Sequence, residues 1–135
     1  MSEVLEKYRK LVDSINVEYA TLCGLSNDEL RMELSQIVIA INNNENKNKA
    51  LDEYLVPVFS ILKETARRFS DGNIEVVANS NDVWLADRYD FVEIVGNKAI
   101  YKNRWDVMGV PYAWKMVHYD EQLLGGILLH YGYAA

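Results

Sequence analysis

The run Met116-Val117-His118-Tyr119-Asp120-Glu121-Gln122-Leu123-Leu124-Gly125-Gly126-Ile127-Leu128-Leu129-His130 governs the reading of this chain. Tyr119 is followed three positions later by Gln122, and Gly125-Gly126 opens an apolar helix. These residue types can hold an adenine, because a carboxamide donates to N7 and accepts from the N6 amine at once. They amount to half a nucleotide site. No Gly-x-x-x-x-Gly-Lys-Ser/Thr run, whose backbone amides would cradle phosphates, occurs in the 135 residues.

Outward from this stretch, the last helix is predicted to begin near Tyr119 and reach about His130. Two adjacent glycines inside it cost roughly 1 kcal/mol each relative to alanine, so close backbone packing is expected there. Residues 102–115, with Gly109 and Pro111, read as a loop. Before them the periodicity is that of strands: Ile74-Glu75-Val76-Val77-Ala78 alone, then Val92-Glu93-Ile94-Val95 and Ala99-Ile100-Tyr101 as a hairpin turning at Gly96-Asn97. Residues 82–89 read as one or two helical turns, with Trp84 and Leu85 anchored on the hairpin.

The first half is helical. Val4, Leu5, Tyr8, Leu11, Val12 and Ile15 recur at helical spacing, which predicts an amphipathic helix ending near Thr21. Ser26 and Glu29 form a capping box that starts a second helix at Asn27, with Leu30, Leu34, Ile37, Val38 and Ile41 inward. Its end is set by the asparagine-rich loop 42–49, because asparagine competes for backbone hydrogen bonds. Helix resumes at Ala50, and Pro57 suits the first turn of a helix reaching Phe69, with Val58, Leu62, Ala66 and Phe69 inward and Asp71-Gly72 closing it.

Three of these segments, in order, resemble the SecA family, the motor ATPases of preprotein export. Met116, Tyr119 and Gln122 with Leu123 and Gly125-Gly126 are similar to the family's segment just upstream of its phosphate loop. Leu25-Ser26-Asn27-Asp28-Glu29-Leu30-Arg31 is similar to its Leu-Ser-x-x-Glu-Leu-Arg opening. Residues 51–68, with Leu55, Pro57, Phe59 and the Ala66-Arg67-Arg68 ending, look like its proline-containing stretch. Residues 71–114 look like an insertion carried by one branch. The sequence departs from the family at Glu121, where an apolar residue is usual, and at Tyr133-Ala134. A more basic amphipathic leader, common in the family, is shortened or absent, which puts direct membrane contact in doubt.

The resemblance implies an α+β, mainly α fold: N-terminal helices (1–72), a β-containing insertion (73–115) and an adenine-contact helix (116–135), together the amino-terminal portion of a SecA-like motor. It implies ATP as cofactor, with Gln122 reading adenine, Tyr119 beside the base and Met116 as an apolar lid. No metal site is expected within this chain. The partners it implies are the rest of the motor, the protein-conducting channel, preprotein and a second copy. The implied location is the cytoplasm and, peripherally, the inner face of the cell membrane. The alternative is a stand-alone helical interaction domain without nucleotide chemistry. Read without the resemblance, Gln122 merely occupies the first turn of a helix while Met116 and Tyr119 are core.

Composition agrees with one domain, large enough to bury roughly two thirds of its unfolded surface. The net charge of -6 argues against nucleic acid or an anionic membrane surface as a partner, since those are bound through clustered Lys and Arg and the sequence shows no such cluster. The single cysteine, Cys23, forms no internal disulfide, and a reducing compartment is expected. His118, Asp120, Glu121 and His130 lack the paired spacing of a metal site, and Asp120 suits the first turn of the last helix. Trp84, Trp105, Trp114, Tyr101, Tyr112, Tyr119, Tyr131 and Tyr133 make the second half aromatic. These rings either fill a small core or stay exposed and drive self-association.

Overall fold

The computed structural model describes residues 2–132, so Tyr133 and Ala134 lie outside the described residues. The chain is mainly α with two small antiparallel sheets. Helix α1 (Ser2–Thr21) passes through a 3-10 turn (Leu22–Gly24) into α2 (Asn27–Asn43), α3 (Lys47–Glu53) and α4 (Leu55–Asp71). Then come β1 (Ile74–Val77), α5 (Ser80–Arg88), β2 (Val92–Val95), β3 (Lys98–Tyr101), β4 (Arg104–Val107), β5 (Val110–Ala113) and α6 (Asp120–His130).

Helix α4 is the hub, because its apolar residues meet three different partners. Leu55, with Val56 and Phe59, joins Tyr8, Val12 and Ile15 of α1 and Leu123, Leu124 and Ile127 of α6. Ile61, with Val58, packs on Leu22, Leu30 and Ile37. Phe69 lies against the sheet core of Ile74, Val76, Val92 and Ala99. The fully buried Ser60 lets α1 approach α4: its hydroxyl donates to Val56 O at 2.7 Å and lies 3.1 Å from Ile15 O.

Two inward assignments fail. Val38 and Leu62 are exposed, because Ile37 and Ile61, one position earlier, take the buried places. The capping box at Ser26 and Glu29 forms as expected, with reciprocal 3.0 Å bonds. The asparagine run divides its roles: Asn44 Oδ1 accepts from Asn46 N within the short loop, while Asn46 caps α3 by accepting from Lys49 N at 3.1 Å. Helix therefore resumes at Lys47, three residues before Ala50.

Strands β1 and β2 flank β3, both antiparallel to it, with Val76 and Ile94 opposite Ala99. The β2–β3 turn uses Gly96 at φ +60°, where glycine has no steric penalty. Helix α5 is longer than one or two turns because Asn79 and Asp82 cap it reciprocally at 2.9 Å. Leu85 packs on the sheet, but Trp84 is exposed and lies under the Arg88 guanidinium, 4.0 Å from the ring centroid.

Residues 102–115 are not a loop. Strands β4 and β5 pair antiparallel in register Trp105 with Tyr112 and Val107 with Val110. The two-residue connection places Met108 at φ +51° and Gly109 at φ +83°, as a type I′ turn requires. Methionine is not a turn signal at that position, and Pro111 is tolerated because each strand of a two-stranded sheet has an open edge.

Candidate functional site

Three α2 side chains, all from the sequence's opening motif, hold the outer edge of β1. Asn27 Nδ2 donates to Glu75 O (3.1 Å), Asp28 Oδ1 accepts from Val77 N (2.8 Å), and Arg31 Nη2 donates to Val77 O (2.7 Å). An edge strand's unpaired amides and carbonyls are thereby satisfied. Arg31 Nη1 also lies 2.9 Å from both oxygens of the buried Asp82, which accepts in addition from the Tyr101 hydroxyl and from Asn79 N. Burial pushes the Asp82 carboxyl up, but Tyr101, Asn79 and Arg31 outweigh it and hold it below the usual carboxylate range. Burial and the same carboxylate push the Tyr101 phenol up to about 12.

A second buried carboxylate, Glu64, organises α4. Arg67 Nε and Nη2 bond its two oxygens at 2.7 and 2.8 Å, and Arg68 Nε bonds Oε2 at 2.6 Å. Arg68 continues to Leu22 O, Leu25 O and Asn27 Oδ1, so it ties the 3-10 turn and the start of α2 to α4. Burial raises the Glu64 carboxyl, but the two guanidiniums hold it below the ordinary range. The Ala66-Arg67-Arg68 ending and Arg31 are thus structural clasps, and each guanidinium is committed.

The 116–130 stretch is built from α6 outward. Leu123, Leu124 and Ile127 bury one face against α1 and Leu55. Only one of its two glycines is required for packing: a Cβ on Gly126 would meet Phe59 ring carbons at 3.2 and 3.3 Å, whereas one on Gly125 meets nothing within 4 Å. The helix start is fixed from two sides. Lys63 Nζ donates to Asn16 Oδ1 (2.6 Å), and Asn16 Nδ2 donates to Asp120 Oδ1 (2.9 Å), which links α4, α1 and the first turn of α6. Trp114 Nε1 lies within hydrogen-bond distance of both Met116 O (2.9 Å) and Ala66 O (3.1 Å), fixing the segment that enters the helix.

Gln122 occupies the third helical position, and its Oε1 accepts from Tyr119 N at 2.8 Å. Tyr119, the N-cap residue, is 73% exposed, and Met116 and Gln122 are exposed as well. The structure therefore brings Tyr119 and Gln122 together and keeps all three candidates out of the core. A carboxamide oxygen has two lone pairs and its nitrogen two hydrogens, so the capping bond still leaves Gln122 a donor and an acceptor. Glu121 is exposed to solvent. The nearby His118 Nδ1 is buried with no hydrogen-bond partner among the described residues.

The other polar residues separate. His130 Nε2 pairs with Asp52 Oδ1 at 2.8 Å, and no group of three His, Cys, Asp or Glu among the described residues is placed to hold a metal ion. Cys23 is exposed. The aromatic residues divide between the two expectations: Trp114 and Tyr101 are hydrogen-bonded and partly buried, while Trp84, Trp105, Tyr112 and Tyr119 are exposed. The Arg31 to Asp82 clasp, the ties from Arg68 to Leu22, Leu25 and Asn27, the Trp114 bond to Ala66 and the Asn16 link escape sequence reasoning, since each joins residues far apart in the chain. The one local signal was the Glu64 to Arg68 spacing, i to i+4 on a helix.

The family model described as SecA DEAD-like domain matches residues 1–135. The protein translocase subunit SecA of Parabacteroides distasonis is 34% identical over 95% of this chain and 15% of its own length. That of Azobacteroides pseudotrichonymphae is 39% identical over 93% of this chain and 10% of its own length. That of Bacteroides thetaiotaomicron is 50% identical over 62% of this chain and 8% of its own length. No solved structure matches the chain. The chain thus spans at most about a sixth of these relatives, the 15% shared with the Parabacteroides protein. With its family model matched from end to end, the chain belongs to the SecA DEAD-like domain family.

Proposed function

We propose that this chain supplies the adenine-contacting portion of an ATP-driven protein translocase, with Gln122 reading the base, Tyr119 flanking it and Met116 covering it. One observation carries the reading: the exposed Tyr119–Gln122 pair crowns a helix whose opposite face is locked into the core. The relatives named protein translocase subunit SecA support the setting, in which the rest of the motor, a membrane channel, preprotein and a second copy are the partners. The setting is cytoplasmic, with peripheral contact at the membrane's inner face; no helix among the described residues is long and apolar enough to cross a membrane. In this reading residues 73–115 are a branch-specific insertion between the helical segment 1–72 and the adenine-contact segment 116–135.

Adenine contact alone is weak. Two hydrogen bonds net on the order of 2 kcal/mol, whereas millimolar affinity already requires about 4. The 135-residue chain is expected to hydrolyse no ATP. Millimolar AMP or ATP is expected to shift the NMR amide signals of Tyr119 and Gln122, and a low-micromolar dissociation constant in calorimetry would contradict so weak a contact.

The capping bond favours a second reading, in which Gln122 serves only the helix and the chain is an interaction domain. Gln122→Glu separates the two, because glutamate preserves the cap but cannot pair with the adenine edge as both donor and acceptor. Adenine contact predicts that the variant keeps its melting temperature and loses the AMP-induced shifts. Shifts absent from the parent chain, or unchanged in the variant, would leave only the cap.

A further inference from the structure

Helices α2 and α4 and the three-stranded sheet meet around a recess of about 230 Å³. Its apolar walls are Leu30 and Leu34 of α2, Ile61 and Phe69 of α4, and Ile74 and Val76 of β1. Leu30, Ile61, Ile74 and Val76 are at most 9% exposed, so this chain itself shields them. The recess is the seam between two apolar clusters, the helical one of Leu30 and Ile61 and the sheet one of Ile74 and Val76. The clasps join these clusters without filling the space between them. Interiors are close-packed, and a lining with no partner atoms on one side forgoes those contacts, so a molecule of the right shape gains them.

The polar residues that also line the recess select a neutral occupant. Arg31 bonds Asp82 and Val77 O, Arg68 bonds Glu64, Asn27 Oδ1 and two carbonyls, and the Tyr101 hydroxyl donates to Asp82. Thr65 Oγ1 donates to Ile61 O, and Asn27 Nδ2 to Glu75 O. Each guanidinium is already paired with a carboxylate, so an anion would lose its hydration without meeting a free cation. Apolar cavities stay dry and take up apolar rings, a space of roughly 150 Å³ sufficing for benzene. The larger recess has room for a ring with a short alkyl group. The remainder of a longer protein is the competing occupant, because this chain spans only 15% of the Parabacteroides relative. Protein partners cover exposed patches, whereas small molecules enter concave apolar recesses. The large apolar side chains left exposed, such as Leu62, Trp105, Val107 and Met108, all lie outside this recess, and none of its six apolar wall residues is among them.

We propose that this recess is a binding site for one neutral, apolar, single-ring molecule, and that its occupation locks α2 and α4 onto the sheet. This does not depend on the adenine reading. The test adds toluene, and separately benzoate, to the isotope-labelled 135-residue chain. Toluene is expected to shift the methyl signals of Leu30, Leu34, Ile61, Ile74 and Val76 saturably while Val12 and Ile127, in the other helical core, stay in place. It is also expected to slow amide exchange across β1 several-fold, because the bound ring bridges the two clusters that must part when the sheet opens. Benzoate is expected to bind more weakly by about tenfold or more. Leu34 is partly exposed, so Leu34→Phe brings a ring to the recess from a tolerant helix position; it is expected to keep the melting temperature and lose the toluene shifts. Leu34→Met, which conserves volume, is expected to retain them. The same shifts are expected in a chimera carrying residues 1–135 in place of the matching segment of the Parabacteroides protein. Absent shifts in the parent chain, shifts unchanged in folded Leu34→Phe, or benzoate binding as tight as toluene overturns the proposal. Unsaturable shifts that extend equally to exposed Leu62 and Val107 also overturn it, as partition onto the surface. Shifts lost in the folded chimera overturn it in favour of a segment of the longer protein.

Discussion

Gly125 and Gly126 look alike in the sequence, yet their surroundings differ. Only Gly126 has the Phe59 ring pressed on it, so alanine at Gly125 gains helix propensity without a clash. Gly125→Ala is expected to raise stability by about 0.5–1 kcal/mol, while Gly126→Ala yields no gain because Phe59 must move; urea unfolding of both variants checks the contrast. At Asp82 the expectation is loss. Asparagine there keeps the size but removes the charge that Arg31 and Tyr101 face, leaving a guanidinium without its partner. Because Arg31 is partly exposed, Asp82→Asn is expected to cost about 2–3 kcal/mol in the same measurement, below the range for a fully buried pair.

At the scale of elements, the free edge of β1 is the point where α2 and the small sheet join. Removing Arg31 withdraws the donor to Val77 O and one wall of the Asp82 site together. Arg31→Ala is therefore expected to speed amide exchange selectively through β1 and β3 while α1 and α6 keep their protection, since each cooperative unit opens according to the interactions that hold it closed. Exchange that accelerated uniformly would assign the clasp a global role instead. The second hairpin carries a different liability, a methionine held in the left-handed region at its turn. Met108→Asn creates the Asn-Gly turn preferred for this geometry and is expected to stabilise the hairpin by about 1 kcal/mol, read as slower exchange at Val107 and Val110.

For the molecule as a whole, the two buried carboxylates set the acid limb of stability. Glu64 and Asp82 both titrate below their ordinary range, so the stability they provide is complete above an unfolded carboxylate pKa of about 4 and is lost as the pH falls through their folded values. Urea midpoints are expected to hold from pH 7 to about 5 and fall steeply below about 4, with Glu64→Gln flattening the fall. On the alkaline side Tyr101 is raised to about 12. Its contribution is present below the unfolded value of about 10 and is lost as the pH rises through the folded one. Ultraviolet titration of the parent chain against Tyr101→Phe is expected to show that late phenol.

Sequence alone determined what local chemistry controls. The Ser26–Glu29 box, the helical spacing of Tyr8, Val12 and Ile15, the Gly96-Asn97 hairpin and the placement of Gln122 in the first turn of α6 all depend on residues within a few positions of one another. Family membership was legible for the same reason, because its motifs are short and ordered. Tertiary structure decided the rest. Which of Ile37 and Val38 is buried, which glycine meets Phe59, and where the guanidiniums of Arg31, Arg67 and Arg68 are directed depend on the positions of neighbouring helices, which no local pattern states. The β4–β5 hairpin escaped sequence reading because its turn residue is a methionine in an unfavoured backbone region, held by strand pairing. Residue spacing thus specified most of the elements and the place of Tyr119 and Gln122 at the start of α6, while burial and long-range hydrogen bonds specified how the elements are held together.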